Sequence, residues 1–217
     1  MRDSRSPERE LSLSENASFQ PVFPDPSIPQ PTLQSGAQLD YLPLILDANI
    51  DENMKTPVTL AKQLSAKFSS IIHLKREDEQ PNFSFKCRGA LNKISSLTRE
   101  ERKRGICCVS AGNHAQGVAL AALKLGITAT IVMPKTAAEI KVNAVKRLGA
   151  NVILEGADFD LAKLECQRLC KLHNFVFIPP FDDPLIIAGQ ATCGVEILNQ
   201  VRNLDAVFVC CGGTTRD

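Results

Sequence analysis

Between residues 71 and 211 the chain alternates short apolar runs with longer amphipathic stretches, and no other feature restricts the fold as much. Regular strand-then-helix alternation is the signature of a parallel sheet covered on both faces. The pattern predicts strands over 71–75, 105–109, 128–133, 151–154, 175–178 and 206–211. Helices are predicted over 85–96, 114–125, 137–148, 159–172 and 185–200. In the fourth of these, Phe159, Ala162, Cys166, Leu169 and Cys170 form one apolar stripe at helical spacing. Ahead of the alternation, 42–64 reads as two helical pieces divided by Lys55-Thr56-Pro57. The fold class expected is α/β, with parallel sheets and flanking helices.

Residues 1–47 are of different material. Prolines at 7, 21, 24, 26, 29 and 31, among many serines and glutamines, leave little to bury and no sustained period. This stretch reads as a disordered leader. Arg2, Arg5 and Arg9 hint at a mitochondrial transit peptide, while Asp3, Glu8 and Glu10 are out of keeping with one, so the matrix and the cytoplasm both stay open. The remainder, within a 217-residue chain that is 44% hydrophobic, is enough for one or two domains. A net charge of +1 offers nothing to nucleic acid or to an anionic membrane surface. No apolar run approaches the roughly 18–20 residues that span a bilayer. Eight cysteines without a secretory signal fit a reducing compartment. No Cys-x-x-Cys occurs, and His73, His114 and His173 are scattered, which argues against a metal site.

Two stretches carry residue types suited to chemistry. In Ser84-Phe-Lys-Cys-Arg-Gly-Ala90, Ser84 is a fitting N-cap, placing Lys86 in a first helical turn. The helix dipole and nearby Arg88 would both favour an uncharged amine, the nucleophile that Schiff-base chemistry requires. The plainer reading is a solvated surface lysine. In Ser110-Ala111-Gly112-Asn113-His114, a strand passes into a helix N-terminus, an arrangement that presents backbone N–H groups to an anion. Gly112 permits close approach, and Asn113 offers donor and acceptor atoms. The plainer reading here is a polar helix cap. His114 reads as a helix-start residue, not as an acid or base.

The run Lys75 to Ala90 and the run Ser110 to Gly117 together resemble the threonine dehydratases, pyridoxal-phosphate enzymes of the tryptophan-synthase-β-like family (fold type II). Ile131-Val-Met-Pro134, Glu139-Ile-Lys-Val142, Phe177 to Pro184 and Ile187-Ala-Gly-Gln190 follow the same pattern, and the likeness runs from about Thr56 to Gly213. The resemblance implies a two-domain architecture, with 98–180 as the small cofactor-fold domain and 48–97 plus 181–217 as part of a larger, incomplete one. It implies pyridoxal 5'-phosphate as cofactor, an amino acid as small-molecule substrate and a homo-oligomer. Lys86 would then bond the cofactor and remove the substrate α-proton. Phe85 would lie beside the cofactor, Ser110 to His114 would grip the substrate carboxylate, and Asn113 would meet the cofactor's phenolic oxygen. Ser110 matches a serine that in related racemases works from the opposite cofactor face.

One departure stands out. Where the family has four glycines around the cofactor phosphate, this chain has Gly212-Gly213-Thr214-Thr215. β-Branched residues strongly disfavour positive φ, so a weakened phosphate site is expected. The sequence reads as the N-terminal portion of an enzyme that converts L-threonine, with L-serine as a further candidate substrate, to a 2-oxo acid and ammonia in isoleucine biosynthesis. A catalytically silent fragment and a serine racemase are the alternatives. The 139–141 and 181–184 stretches favour the dehydratase.

Overall fold

The computed structural model describes residues 40–210 of the chain. Helix α1 (Tyr41–Leu46) comes first, with the Asp40 carboxylate accepting from the Leu42 N–H at 3.0 Å. Pro43 lies in its first turn, where a missing N–H breaks no helical bond. The end of the stretch read as leader is therefore helical and packs on the last helix among the described residues. The remainder of that leader lies outside the described residues.

The region read as two helical pieces is more broken than expected. A 3-10 turn (Glu52–Met54) and strand β1 (Val58–Leu60) precede helix α2 (Lys62–Phe68). Three residues are too few to display a period, so β1 left no sequence signal. It pairs antiparallel with β2 (His73–Lys75), setting Val58 opposite Lys75. Two helices follow, α3 (Lys86–Ser95) and α4 (Arg99–Arg104). The second starts at a capping box, in which Thr98 and Glu101 each take the other's backbone N–H.

The predicted alternation then appears from residue 106 to residue 200. Strand β3 (Ile106–Val109) leads to α5 (Asn113–Leu125), β4 (Ala129–Met133) to α6 (Glu139–Arg147), and β5 (Asn151–Leu154) to α7 (Phe159–His173). The short β6 (Val176–Phe177) leads to α8 (Pro184–Gln200). The strands make one parallel sheet in the order β5-β4-β3-β6. Side-chain period two splits each strand between two cores. Ile106, Cys108, Ile131 and Met133 join the residues of α3, α5 and α6 in the larger core, while Cys107, Val109 and Val132 meet Ala162, Cys166 and Leu169 of α7 on the other face. Phe159, expected in that α7 stripe, stands about half exposed at the helix's first position.

One predicted element is absent. Residues 206–210 form no strand, and Phe208 is 96% exposed. Apolar composition calls for burial, but a strand exists only by pairing, and no strand among the described residues lies alongside it.

Candidate active site

Three chain segments meet around the amine of Lys86. The first is the start of α3. Ser84 Oγ accepts from the Lys86 N–H at 3.3 Å, and Phe85 already has helical angles, so the helix is capped where the sequence indicated. From Cys87 to Asn92 every residue of α3 is buried, wedged between α5 and α8.

Glycine sets how tightly the wedge fits. A Cβ on Gly189 would stand 2.6 Å from the Cα of Gly89, and one on Gly89 would stand 2.6 Å from the Ile186 carbonyl oxygen. The two helix backbones cross at this pair. On the other flank a Cβ on Gly117 of α5 would lie 3.0 Å from the carbonyl carbon and oxygen of Lys86 itself. Gly117→Ala is therefore expected to cost roughly 1–3 kcal/mol, as overpacking of a filled interior does. The denaturant midpoint should fall by the corresponding amount with an unchanged m-value, and an unshifted midpoint would mean that α5 is free to back away.

The second segment is the loop after β6. Lys86 Nζ donates to the Pro180 carbonyl at 2.7 Å, and no carboxylate pairs with it among the described residues. The amine also stands 5.5 Å from the Phe85 ring centroid. Burial holds its pKa below the ordinary lysine value. Arg88, expected to contribute to that depression, points elsewhere. It is fully buried, bonded to Glu77 at 2.7 and 2.8 Å, to Glu196 at 2.6 and 3.0 Å and to the Met54 carbonyl at 2.9 Å. Glu196 also takes a 2.6 Å bond from Lys75, and Glu77 one from the Thr56 hydroxyl. Burial opposes the arginine's charge, yet the two carboxylates raise its pKa above the usual value. The pairing thus spends the Arg88 charge on structure. Sequence reasoning missed this network, although Glu77 and Arg88 both lie inside the motif runs.

The third segment is the turn Ser110–Gly112 at the carboxyl end of β3. Ser110 Oγ accepts from the Gly112 N–H at 3.1 Å, and no side chain caps the helix behind it, leaving the first N–H groups of α5 directed out of the turn. A Cβ on Gly112 would meet nothing within 4 Å, so the turn is open on that side. Its φ is extended, so neither a positive φ nor a close approach of the chain, as the sequence led one to expect, calls for glycine here. Ala111 is half-buried and Asn113, the first helical residue, is exposed. His114 is buried, with Nε2 3.1 Å from the Ile178 carbonyl oxygen. A carbonyl only accepts, so Nε2 carries the proton and Nδ1, which has no partner among the described residues, is a bare acceptor. Burial pushes this imidazole down to about 4, the Lys86 charge adding to the effect against the pull of the Ile178 carbonyl. It is neutral at physiological pH. Gly212, Gly213, Thr214 and Thr215 lie outside the described residues.

The arrangement is a lysine amine with no acidic partner among the described residues, biased towards its neutral form. It lies close enough to the start of α5 to act on the buried His114, and that helix N-terminus is suited to an anion. Residues 51–216 match the family model described as pyridoxal-phosphate dependent enzyme. The chain is 52% identical over 190 residues to a mitochondrial threonine dehydratase of Schizosaccharomyces pombe, covering 86% of this chain and 32% of that one. It is 44% identical to a biosynthetic L-threonine dehydratase of Escherichia coli, covering 85% and 36%. Among solved structures, a processed threonine deaminase isoform 2 from Solanum lycopersicum superposes with a TM-score of 0.72 at 46% identity, covering 75% of this chain and 48% of that one. Maize serine racemase superposes at 0.71 with 33% identity, covering 75% and 50%. The chain spans about a third of the length of these two curated relatives.

Proposed function

The chain belongs to the pyridoxal-phosphate dependent enzymes, and on that premise we propose that it carries the reactive lysine of a threonine dehydratase site. The observation that carries this reading is the Lys86 amine, half-buried, held by a backbone carbonyl and free of any carboxylate among the described residues. An amine in an ion pair would stay protonated and could not attack an aldehyde. The donor set therefore fits pyridoxal phosphate, with Lys86 as the covalent anchor and Phe85 and Asn113 beside it. Bound there, the cofactor supplies an electron sink for the negative charge left at the substrate's α-carbon.

The chain's own groups account for the rest. The uncapped N–H groups at the start of α5 receive the substrate carboxylate, and the dipole of that helix adds to the attraction. Ser110 holds the turn in shape through its bond to Gly112. Lys86 Nζ, in its neutral form, would be the base that takes the substrate's α-proton. Departure of the β-hydroxyl as water, followed by hydrolysis, turns L-threonine into 2-oxobutanoate and ammonia with no net redox change. His114, neutral and bonded to the Ile178 carbonyl, fastens the turn to the β6–α8 loop and so to the carbonyl that holds the amine.

We also read 98–180 as the small domain and 48–97 with 181–217 as part of a larger one. The placement of the whole parallel sheet within 106–177 supports that division. A mitochondrial location is supported by the relative from fission yeast.

The test is to incubate the protein with pyridoxal phosphate and L-threonine, then L-serine, and to quantify 2-oxo acid, ammonia and the chirality of remaining serine. Ammonia with 2-oxobutanoate from threonine is the expected result. D-Serine as main product would move the assignment to a racemase, and cofactor uptake without turnover would leave a binding module.

A further inference from the structure

A second constellation lies on the opposite face of the sheet. Cys107 of β3 points away from α3 and α5 and meets Cys166 of α7 with the two sulfurs 3.3 Å apart. Cys170, one turn further along α7, completes a trio whose sulfurs all lie within 4.8 Å of one another. Cys107 and Cys166 are fully buried, while Cys170 is half-buried and opens the trio towards solvent. Val109, Val132, Ala162 and Leu169 wall the rest.

We propose that Cys107, Cys166 and Cys170 form a three-thiolate binding site for a thiophilic divalent ion of the zinc class. The geometry carries the inference. Three sulfurs bonded to one zinc at about 2.3 Å stand roughly 4 Å apart, so a 3.3 Å pair within a trio spanning no more than 4.8 Å needs only sub-ångström adjustment. The ligand set is all sulfur, which selects soft ions over magnesium or calcium. Each metal–sulfur bond replaces one S–H bond, and the proton leaves to solvent. Three thiolates on a divalent ion keep one net negative charge, and the opening beside Cys170 is where a water completes a tetrahedron and where that charge is hydrated. Local cysteine spacing could not reveal this trio, because 59 residues separate Cys107 from Cys166 and only folding brings them together. Nothing in this site depends on Lys86. Occupation would pin α7 to the strand that leads into the Ser110 turn.

Cadmium titration of the reduced full chain, without chelator, tests the proposal. The expected result is a thiolate-to-metal charge-transfer band saturating at one ion per chain, three protons released per ion, and a cadmium-113 shift characteristic of sulfur-rich coordination. Cys170→Ser alters only the half-buried member. It should weaken binding by the roughly hundredfold that even outer-shell losses reach, or more, while Cys193→Ser, outside the trio, leaves it unchanged. No saturable band at one equivalent, a shift typical of oxygen ligands, or wild-type affinity in a folded Cys170→Ser would overturn the assignment.

Discussion

Lys86→Ala is expected to abolish the absorbance of captured cofactor near the visible edge and to lower deamination on the order of 10⁴-fold or more, the upper range for losing one acid–base group. The fold should survive, because the amine is held by a single bond to the Pro180 carbonyl and closes no ion pair among the described residues. Lys86→Arg keeps a cation in place and should lose the signal equally. Capture should also depend on pH in a definite sense. The reactive form is the neutral amine, so capture falls as pH drops through the Lys86 pKa, and burial sets that fall below the range of surface lysines. Retained absorbance in Lys86→Ala would assign the cofactor to another lysine and dissolve the proposed site.

The second large effect concerns stability. Arg88→Ala strands Glu77 and part of Glu196 in the interior and should cost about 3–5 kcal/mol, the usual loss when one member of a buried pair is removed. Lys75 still serves Glu196, so Glu77 is the more exposed to the loss. The pH dependence follows from the carboxylates. Burial lifts the pKa of each, yet the bonds from Arg88, with those from Thr56 and Lys75, leave both below the ordinary value. Their contribution is thus complete above the unfolded-state pKa and disappears as pH falls through the folded one. The gap between the native protein and Arg88→Ala should accordingly narrow in acid, and urea melts at neutral and acidic pH measure it. A companion variant with Glu77→Gln and Glu196→Gln added to Arg88→Met should recover much of the loss. If it does not, the three groups are not acting as one network.

Parts of this molecule can be read from the letters because the physics behind them is local. The parallel sheet is legible since each buried strand is an apolar run of a few residues and each helix repeats over several turns. The start of α3 at Lys86 and the Ser110 turn are legible as local structure since each is set by a handful of neighbouring residues. What depends on distant partners is not. An arginine with no exposed surface is intelligible only when Glu77 and Glu196, 11 and 108 residues away, are seen around it. Strand β1 is hidden by its three-residue length, and residues 206–210 show the converse, an apolar run that is no strand for want of a neighbour among the described residues.

The crossing of α3 with α8 at Gly89 and Gly189, and its contact with α5 at Gly117, has a mechanical consequence. Backbone approaches backbone at both flanks, and at the α8 flank the Gln190 side chain fills what space the glycines leave, taking the Gly89 N–H at 3.1 Å. The amine is thus mounted on a part that cannot tilt independently of its two supports, and its reach is limited to the swing of its own methylene stem. Whatever reacts with it has to be delivered within that small arc.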